Sequence, residues 1–215
     1  MSFANGCLID LNILVISLFQ VLEIGGGSGT NFNFVKTPVN WVVVEPNKDF
    51  APYFDENVQK SEIKHKVRGI VEVTLGFIFM YLRMTFSDFS FSFQCFGENL
   101  NAFEDNSMDA IVETLVLCSV EDVSKCLEEF HRVLKPGGKL FLLDHEVSET
   151  GTFTRWSQWI LTHTFWKFFC GNCRLDRDLR KYLKNSKFDL EIIPFDFKMP
   201  FVLRSAYYAV ATKQL

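Results

Sequence analysis

A doubly wound α/β fold, with a mostly parallel sheet of about seven strands and helices on both faces, is what this sequence predicts. Three observations carry that reading. Short β-rich apolar runs alternate with longer amphipathic stretches; one such run passes straight into a glycine-rich turn, Gly25-Gly26-Gly27-Ser28-Gly29; and Lys135-Pro136-Gly137-Gly138 places helix breakers between a helical stretch and the next apolar run. Strands that alternate with helices pair in parallel and are covered on both sides.

Taken in order, residues 7–24 are apolar but interrupted by Asp10, Asn12, Gln20 and Glu23, which makes them marginal as a span needing ~20 mostly apolar residues. The first basic residue is Lys36, whereas a secretory signal places positive charge ahead of its apolar stretch. Secretion is therefore not expected. Residues 1–18 form an atypical apolar N-terminus, read as a covering segment with a membrane-surface contact as the alternative. Strands are expected at Phe19 to Ile24, Trp41 to Glu45, Lys66 to Val73, Ala110 to Leu115, Lys139 to Asp144, Leu190 to Phe195 and Ala206 to Thr212. Helices are expected at Asp49 to Lys60 and Glu121 to Leu134, the second with Val123, Cys126, Leu127, Phe130 and Leu134 on one face. No repeat or linker divides the chain, so residues 1–215 are expected to form a single domain. A Phe-rich insertion at residues 74–96 holds 7 of the 24 phenylalanines. It is too long for an ordinary αβ connection of ~2–6 residues. A substrate-covering insertion, a membrane-dipping hairpin and a segment foreign to the functional protein all remain open.

At 48% hydrophobic and 22% charged residues with a net charge of −4, the chain has neither the composition of a disordered segment nor a basic nucleic-acid footprint. No nucleic-acid partner is expected; a small-molecule substrate is. Six cysteines in a chain able to build a full core point to a reduced, intracellular protein rather than a disulfide framework. Cys170-Gly-Asn-Cys173 is a lone CxxC with no second pair, so no metal set is expected and packing is the simpler role.

The glycine turn is the sharpest feature. Glycines permit positive φ and let a ligand approach backbone without a Cβ in the way, and in doubly wound sheets ligands sit beyond the carboxyl ends of the strands. The spacing excludes two ligand classes. GxGxxG fails from Gly25, where Thr30 takes the last position, and from Gly27, where Phe32 does; no Lys follows the glycines as a P-loop requires. What remains is GxGxG with Glu23 two residues ahead and a second acid, Glu45, at the end of the next strand. A carboxylate there can accept both hydroxyls of a ribose, which suits a ligand with a ribose and no pyrophosphate.

These residues resemble the class I S-adenosylmethionine-dependent methyltransferases, and the likeness continues through Gly97-Glu98-Asn99-Leu100, Glu104 to Val112, and Arg132 to Leu140. Within that class, Thr114 to Val120 and the tail around Trp166, Cys173 and Arg174 resemble the methyltransferase-like 7 group of thiol methyltransferases. The resemblance implies a Rossmann-like fold, S-adenosyl-L-methionine as cofactor, and methylation of a small, lipophilic molecule, a thiol. It implies that Gly25, Gly27 and Gly29 cradle the methionine end, with Glu23 just ahead of them. Glu45 would hold the ribose, Glu98 or Asn99 would meet the adenine, and Thr114 and Leu115 would line the floor near the sulfonium. The group usually has Cys or Ala at Gly26 and more often Asp at Glu45. Its helix before the first strand has no recognisable counterpart in residues 1–18.

His145, at the carboxyl end of the fifth strand, is the candidate catalytic base, expected to face the crevice; a hydrogen bond to Asp144 or solvent is the simpler role. Cys118 resembles a position near the substrate in that family, with packing against the next helix as the simpler role. Trp156, Trp159, Phe165, Trp166, Phe168 and Phe169 are read as a pocket cap or a buried helix face. The resemblance also implies a cytoplasmic protein or one peripherally associated with endoplasmic reticulum or lipid-droplet membranes. The competing reading is a non-catalytic methyltransferase-like protein that binds a partner or membrane surface. Oligomeric state is not legible.

Overall fold

A computed structural model describes residues 19–35, 38–60, 66–70, 97–197 and 200–215. The expected N-terminal covering segment, the end of the third strand and the Phe-rich insertion lie outside these residues. The seven strands are β1 (Gln20–Ile24), β2 (Asn40–Val44), β3 (Lys66–Ile70), β4 (Met108–Thr114), β5 (Leu134–His145), β6 (Phe188–Asp196) and β7 (Ser205–Lys213), in one sheet of order β3-β2-β1-β4-β5-β7-β6. Pairing is parallel from β3 through β5, and β7 runs antiparallel between β5 and β6. Pro194 falls in β6, an edge strand, where its missing N–H leaves no ladder bond unmade.

Period-two alternation sends the strand side chains to two separate cores. Val21, Trp41, Val43, Ala110 and Val112 pack on one face with Phe32, Val35 and, from α1 (Ala51–Lys60), Phe54 and Val58. Leu22, Ile24, Val42, Val44 and Ile111 pack on the other with Cys126, Leu127 and Phe130 of α2 (Val123–Val133). Asp122 caps α2, its carboxylate accepting from Lys125 N at 3.1 Å, which satisfies one of the orphan donors of the first turn.

Strand ends differ from the sequence reading by a few residues, and two of the shifts have a clear cause. Leu134 leaves the helix and already pairs with Met108, so β5 starts ahead of the breakers; the register then shifts before Ala110 meets Lys139, with Gly137 at φ +77° inside the irregularity. Leu115, expected to end the fourth strand, is outside it at φ +59°. The aromatic stretch, read as a pocket cap or a buried helix face, is helical: α3 (Phe153–Leu161) continues through a π-helical turn, Thr162–Trp166, into α4 (Lys167–Phe169). The short α5 (Leu179–Lys184) precedes β6.

The chain order reverses between β1 and β4, its adjacent parallel neighbour, and a crevice forms beyond the carboxyl ends of strands at such a switch point.

Candidate active site

Beyond Ile24 the chain turns with Gly25, Gly27 and Gly29 at φ +67°, +51° and +75°. Gly25 N donates to Val44 O at 2.7 Å, which ties the turn to β2. A Cβ on Gly25 would stand 2.3 Å from Val116 Cγ2, so only glycine fits, whereas a Cβ on Gly27 would meet nothing within 4 Å. Among the described residues the turn is packed on the Gly25 side and open at Gly27.

Glu45 closes one side of that opening. Its Oε2 accepts from Gly27 N and its Oε1 from Asn47 N, each at 2.8 Å. The sheet thus brings the expected ribose acceptor directly against the glycine turn. Burial raises the Glu45 carboxyl above its ordinary range, partly offset by the two backbone donors. Each oxygen accepts one bond and keeps lone-pair capacity for another.

Glu23 is placed differently. It is 1% exposed, with Oε1 accepting from Asn31 Nδ2 at 2.7 Å and Oε2 from Trp41 Nε1 at 2.8 Å. Burial pushes its carboxyl up to about 7 against those two hydrogen bonds. It braces the turn from beneath and does not reach the open seat. Asn31 also donates to Thr114 Oγ1 at 3.2 Å, so one amide links the acid of β1 to the end of β4. Asn31 had no signal in the sequence, because its partners are 8 and 83 residues away.

Leu115 projects from the end of β4 in the left-handed region, 43% exposed, its N–H donating to Leu143 O at 2.8 Å. A bulky residue held at positive φ is a strained position of the kind found at functional turns. Glu113 enforces it: buried, it accepts from Val116 N and Leu117 N with one oxygen. Burial, and then the nearby Asp144, raise the Glu113 carboxyl well above its ordinary range. An acid inside an apolar strand run was the available signal for Glu113, and it was missed.

The 97–100 segment lies against the same end of β1, since a Cβ on Gly97 would fall 3.5 Å from Ile24 Cγ2. Glu98 Oε1 accepts from Glu121 N at 2.8 Å, while its buried Oε2 has no hydrogen-bond partner among the described residues. Asn99 Oδ1 accepts from Asn101 N at 3.2 Å.

His145 requires a correction of position. Expected to face the crevice, it is 2% exposed, because the segment after α4 covers the end of β5. Its Nε2 is 3.3 Å from Cys173 Sγ and 3.7 Å from Asp144 Oδ1. Burial disfavours charge on the ring, but Cys173 and Asp144 outweigh it and raise its pKa. The Cys118 thiol and the His145 ring hold the Cys173 thiol down to about 5. The aromatic stretch is also not a buried face: Trp156, Trp159, Phe165, Phe168 and Phe169 are all exposed, and only Trp166 packs partly against the core. A groove of about 490 Å³ bounded by Glu146, Ser148, Arg155, Arg180 and Lys184 shares no residue with the glycine turn.

A glycine turn after β1, an acid after β2 and a seven-stranded sheet with one antiparallel strand together define a Rossmann-like nucleoside-binding enzyme fold. Comparison narrows the class. The methyltransferase domain model matches residues 22–142, and the chain belongs to that family. It is 33% identical over 181 residues to the thiol S-methyltransferase TMT1B of Rattus norvegicus, covering 83% of this chain. It is 28% identical over 169 residues to the human thiol S-methyltransferase TMT1A, covering 79% of this chain. The chain spans 64% of the rat protein's length and 59% of the human one's. Among solved structures, a methyltransferase from Bacillus halodurans, described as putative, superposes with a TM-score of 0.68 at 16% identity over 97% of both chains. The YcgJ protein of Bacillus subtilis gives 0.62 at 15% identity over 93% of both.

Proposed function

We propose that this protein is an S-adenosyl-L-methionine-dependent methyltransferase that methylates the sulfur of a small lipophilic thiol. The contact between Gly27 N and Glu45 Oε2, where a Cβ on Gly27 would meet nothing within 4 Å among the described residues, carries the reading. It supplies a backbone cradle and a ribose acceptor side by side, and the residues present fit the adenosyl group. Gly25, Gly27 and Gly29 would hold its methionine end, Glu45 its ribose, and Glu98 or Asn99 its adenine. Thr114 and Leu115 would floor the reacting end, with Glu23 bracing from below. The choice of a thiol rests on the thiol S-methyltransferase relatives.

The cofactor's chemistry is a methyl group on a positively charged sulfur, open to in-line displacement. The protein's task is therefore alignment and exclusion of water. A thiol with a free pKa of ~8.5 is already a few per cent thiolate at neutral pH, so no dedicated base is required. That agrees with the enclosure of His145.

Isothermal titration with S-adenosylhomocysteine tests the seat, and a methyl-transfer assay over small thiols, phenols and amines tests the substrate class. Binding without transfer to any thiol would remove the thiol assignment; no binding at all would favour a non-catalytic member of the family.

No helix among the described residues is long and apolar enough to cross a membrane. The exposed aromatic face, with Phe153 at 70%, Phe168 at 78% and Phe169 at 83% exposure, supports peripheral attachment to an intracellular membrane or lipid-droplet surface. Exposed apolar patches of this kind mark interaction sites. Flotation with phospholipid vesicles checks it, and a protein left wholly in the aqueous fraction would count against attachment.

A further inference from the structure

We propose that Cys118, His145 and Cys173 form a binding site for one thiophilic divalent cation of the Zn²⁺ class, clasping the segment after α4 to the ends of β4 and β5. Their ligand atoms all lie within 4.8 Å of one another, and all three residues are buried. The separation of 3.3 Å between His145 Nε2 and Cys173 Sγ is close to the ~3.5 Å edge of a tetrahedron built from Zn–S ~2.3 Å and Zn–N ~2.0 Å. Two thiols and an imidazole are a donor set that selects Zn²⁺ over oxygen-seeking Mg²⁺ or Ca²⁺.

The three ligands come from distant segments, and hydrogen bonds that owe nothing to a metal hold each in place. Asp144 sets two of them, its Oδ2 accepting from Cys118 N at 3.1 Å and its Oδ1 from His145 N at 2.8 Å. The third is delivered by Arg174, whose N–H donates to Cys118 O at 3.0 Å, and by Arg177, whose Nη1 donates to Leu117 O at 2.8 Å. Such preset side chains lower the ordering cost of binding. Asp144 adds a buried negative charge 3.7 Å from His145 Nε2, which favours a cation there, and the fourth position falls to this carboxylate or to solvent. The chelate is not the CxxC motif, because Cys170 is exposed while Cys173 is buried. The site shares no residue with the glycine turn, so the proposal does not depend on the methyl-transfer reading.

The test is a cobalt titration of the full chain, stripped of metal by a chelator and kept reduced. One equivalent of Co²⁺ should produce a thiolate-to-cobalt charge-transfer band that Zn²⁺ then abolishes. Cys118→Ser and Cys173→Ser should each weaken Co²⁺ binding by about 100-fold or more, beyond the ~10–100-fold typical of losing a mere supporting residue. Cys170→Ser should leave the titration unchanged. Absence of the band in folded wild-type protein would overturn the proposal whether or not the variants fold. So would a band lost in Cys170→Ser or retained at full strength in Cys118→Ser. S-adenosylhomocysteine binding, measured in parallel, reports on the other site alone.

Discussion

At the end of β1 the chain offers mainly backbone: three glycines at positive φ and a carboxylate held by N–H groups, with open space above. At the end of β5 it offers side chains, two cysteines, a histidine and an aspartate, closed over by the segment after α4. The first region is built from a local glycine turn and an acid 18 residues on, and a Cβ on its Gly27 would meet nothing within 4 Å among the described residues. The second is assembled across 55 residues, from Cys118 to Cys173, and is sealed. Packing accordingly favours recognition beyond β1 and anchorage beyond β5, two positions along the same carboxyl edge of the sheet.

Perturbing the glycine turn should have the largest effect. Gly25→Ala adds a Cβ 2.3 Å from Val116 Cγ2 at a φ that L-residues avoid. It should cost about 3 kcal/mol or more of stability by denaturant unfolding, and S-adenosylhomocysteine binding should be lost. If stability were unaffected, the turn would be looser than its contacts indicate.

Glu23 gives the next effect, read through pH. Its carboxyl sits at about 7 in the fold against an ordinary 4.5, so between those values the native state keeps a proton that the unfolded chain has released. This group therefore makes stability fall as pH rises from about 4.5 to about 7, by up to about 3 kcal/mol, with no further loss above. Unfolding at pH 5 and pH 8 should show that decline in wild-type protein and a flatter profile in Glu23→Gln. Equal slopes would remove Glu23 as the source.

Glu45→Ala should weaken S-adenosylhomocysteine binding by about 100-fold, the equivalent of about 2.7 kcal/mol, as expected for losing hydrogen bonds to a charged acceptor. It should leave Co²⁺ binding at the Cys118, His145 and Cys173 cluster unchanged, since Glu45 is not among its ligands. Asn31→Ala removes the link between Glu23 and Thr114 and should cost about 1–2 kcal/mol in thermal unfolding. The smallest change in stability belongs to Phe168→Ser with Phe169→Ser. Both side chains are exposed, so stability should stay within about 0.5 kcal/mol while vesicle flotation drops.

Much of the fold was legible because its signals are local. The seven expected strands meet the seven observed ones, most with ends shifted by a few residues, and the second helix buries the face its spacing marked out. The ends moved where pairing outweighed local preference, as when Leu134 joined Met108 across the sheet. Gly25, Gly27, Gly29 and Glu45 were legible for the same reason: a glycine turn after one strand and an acid after the next are patterns of sequence. Asn31 was not, since its partners lie 8 and 83 residues away and its residue type does not announce them; Glu113 was marked only as an acid inside an apolar strand run, a signal that was missed.

The sequence by itself determined which segments would be strands, that they would lie in a covered sheet, and that a side-chain-free turn would stand at the end of the first. Hydrophobic period and backbone permissiveness are properties of neighbouring residues, and they survive translation into three dimensions. Only the tertiary structure decided that Glu23 would brace rather than face outward, that His145 would be enclosed, and that Cys118 and Cys173 would meet it. Those outcomes depend on which segment covers which strand end, and that is fixed by burial and hydrogen bonding summed over the whole sheet.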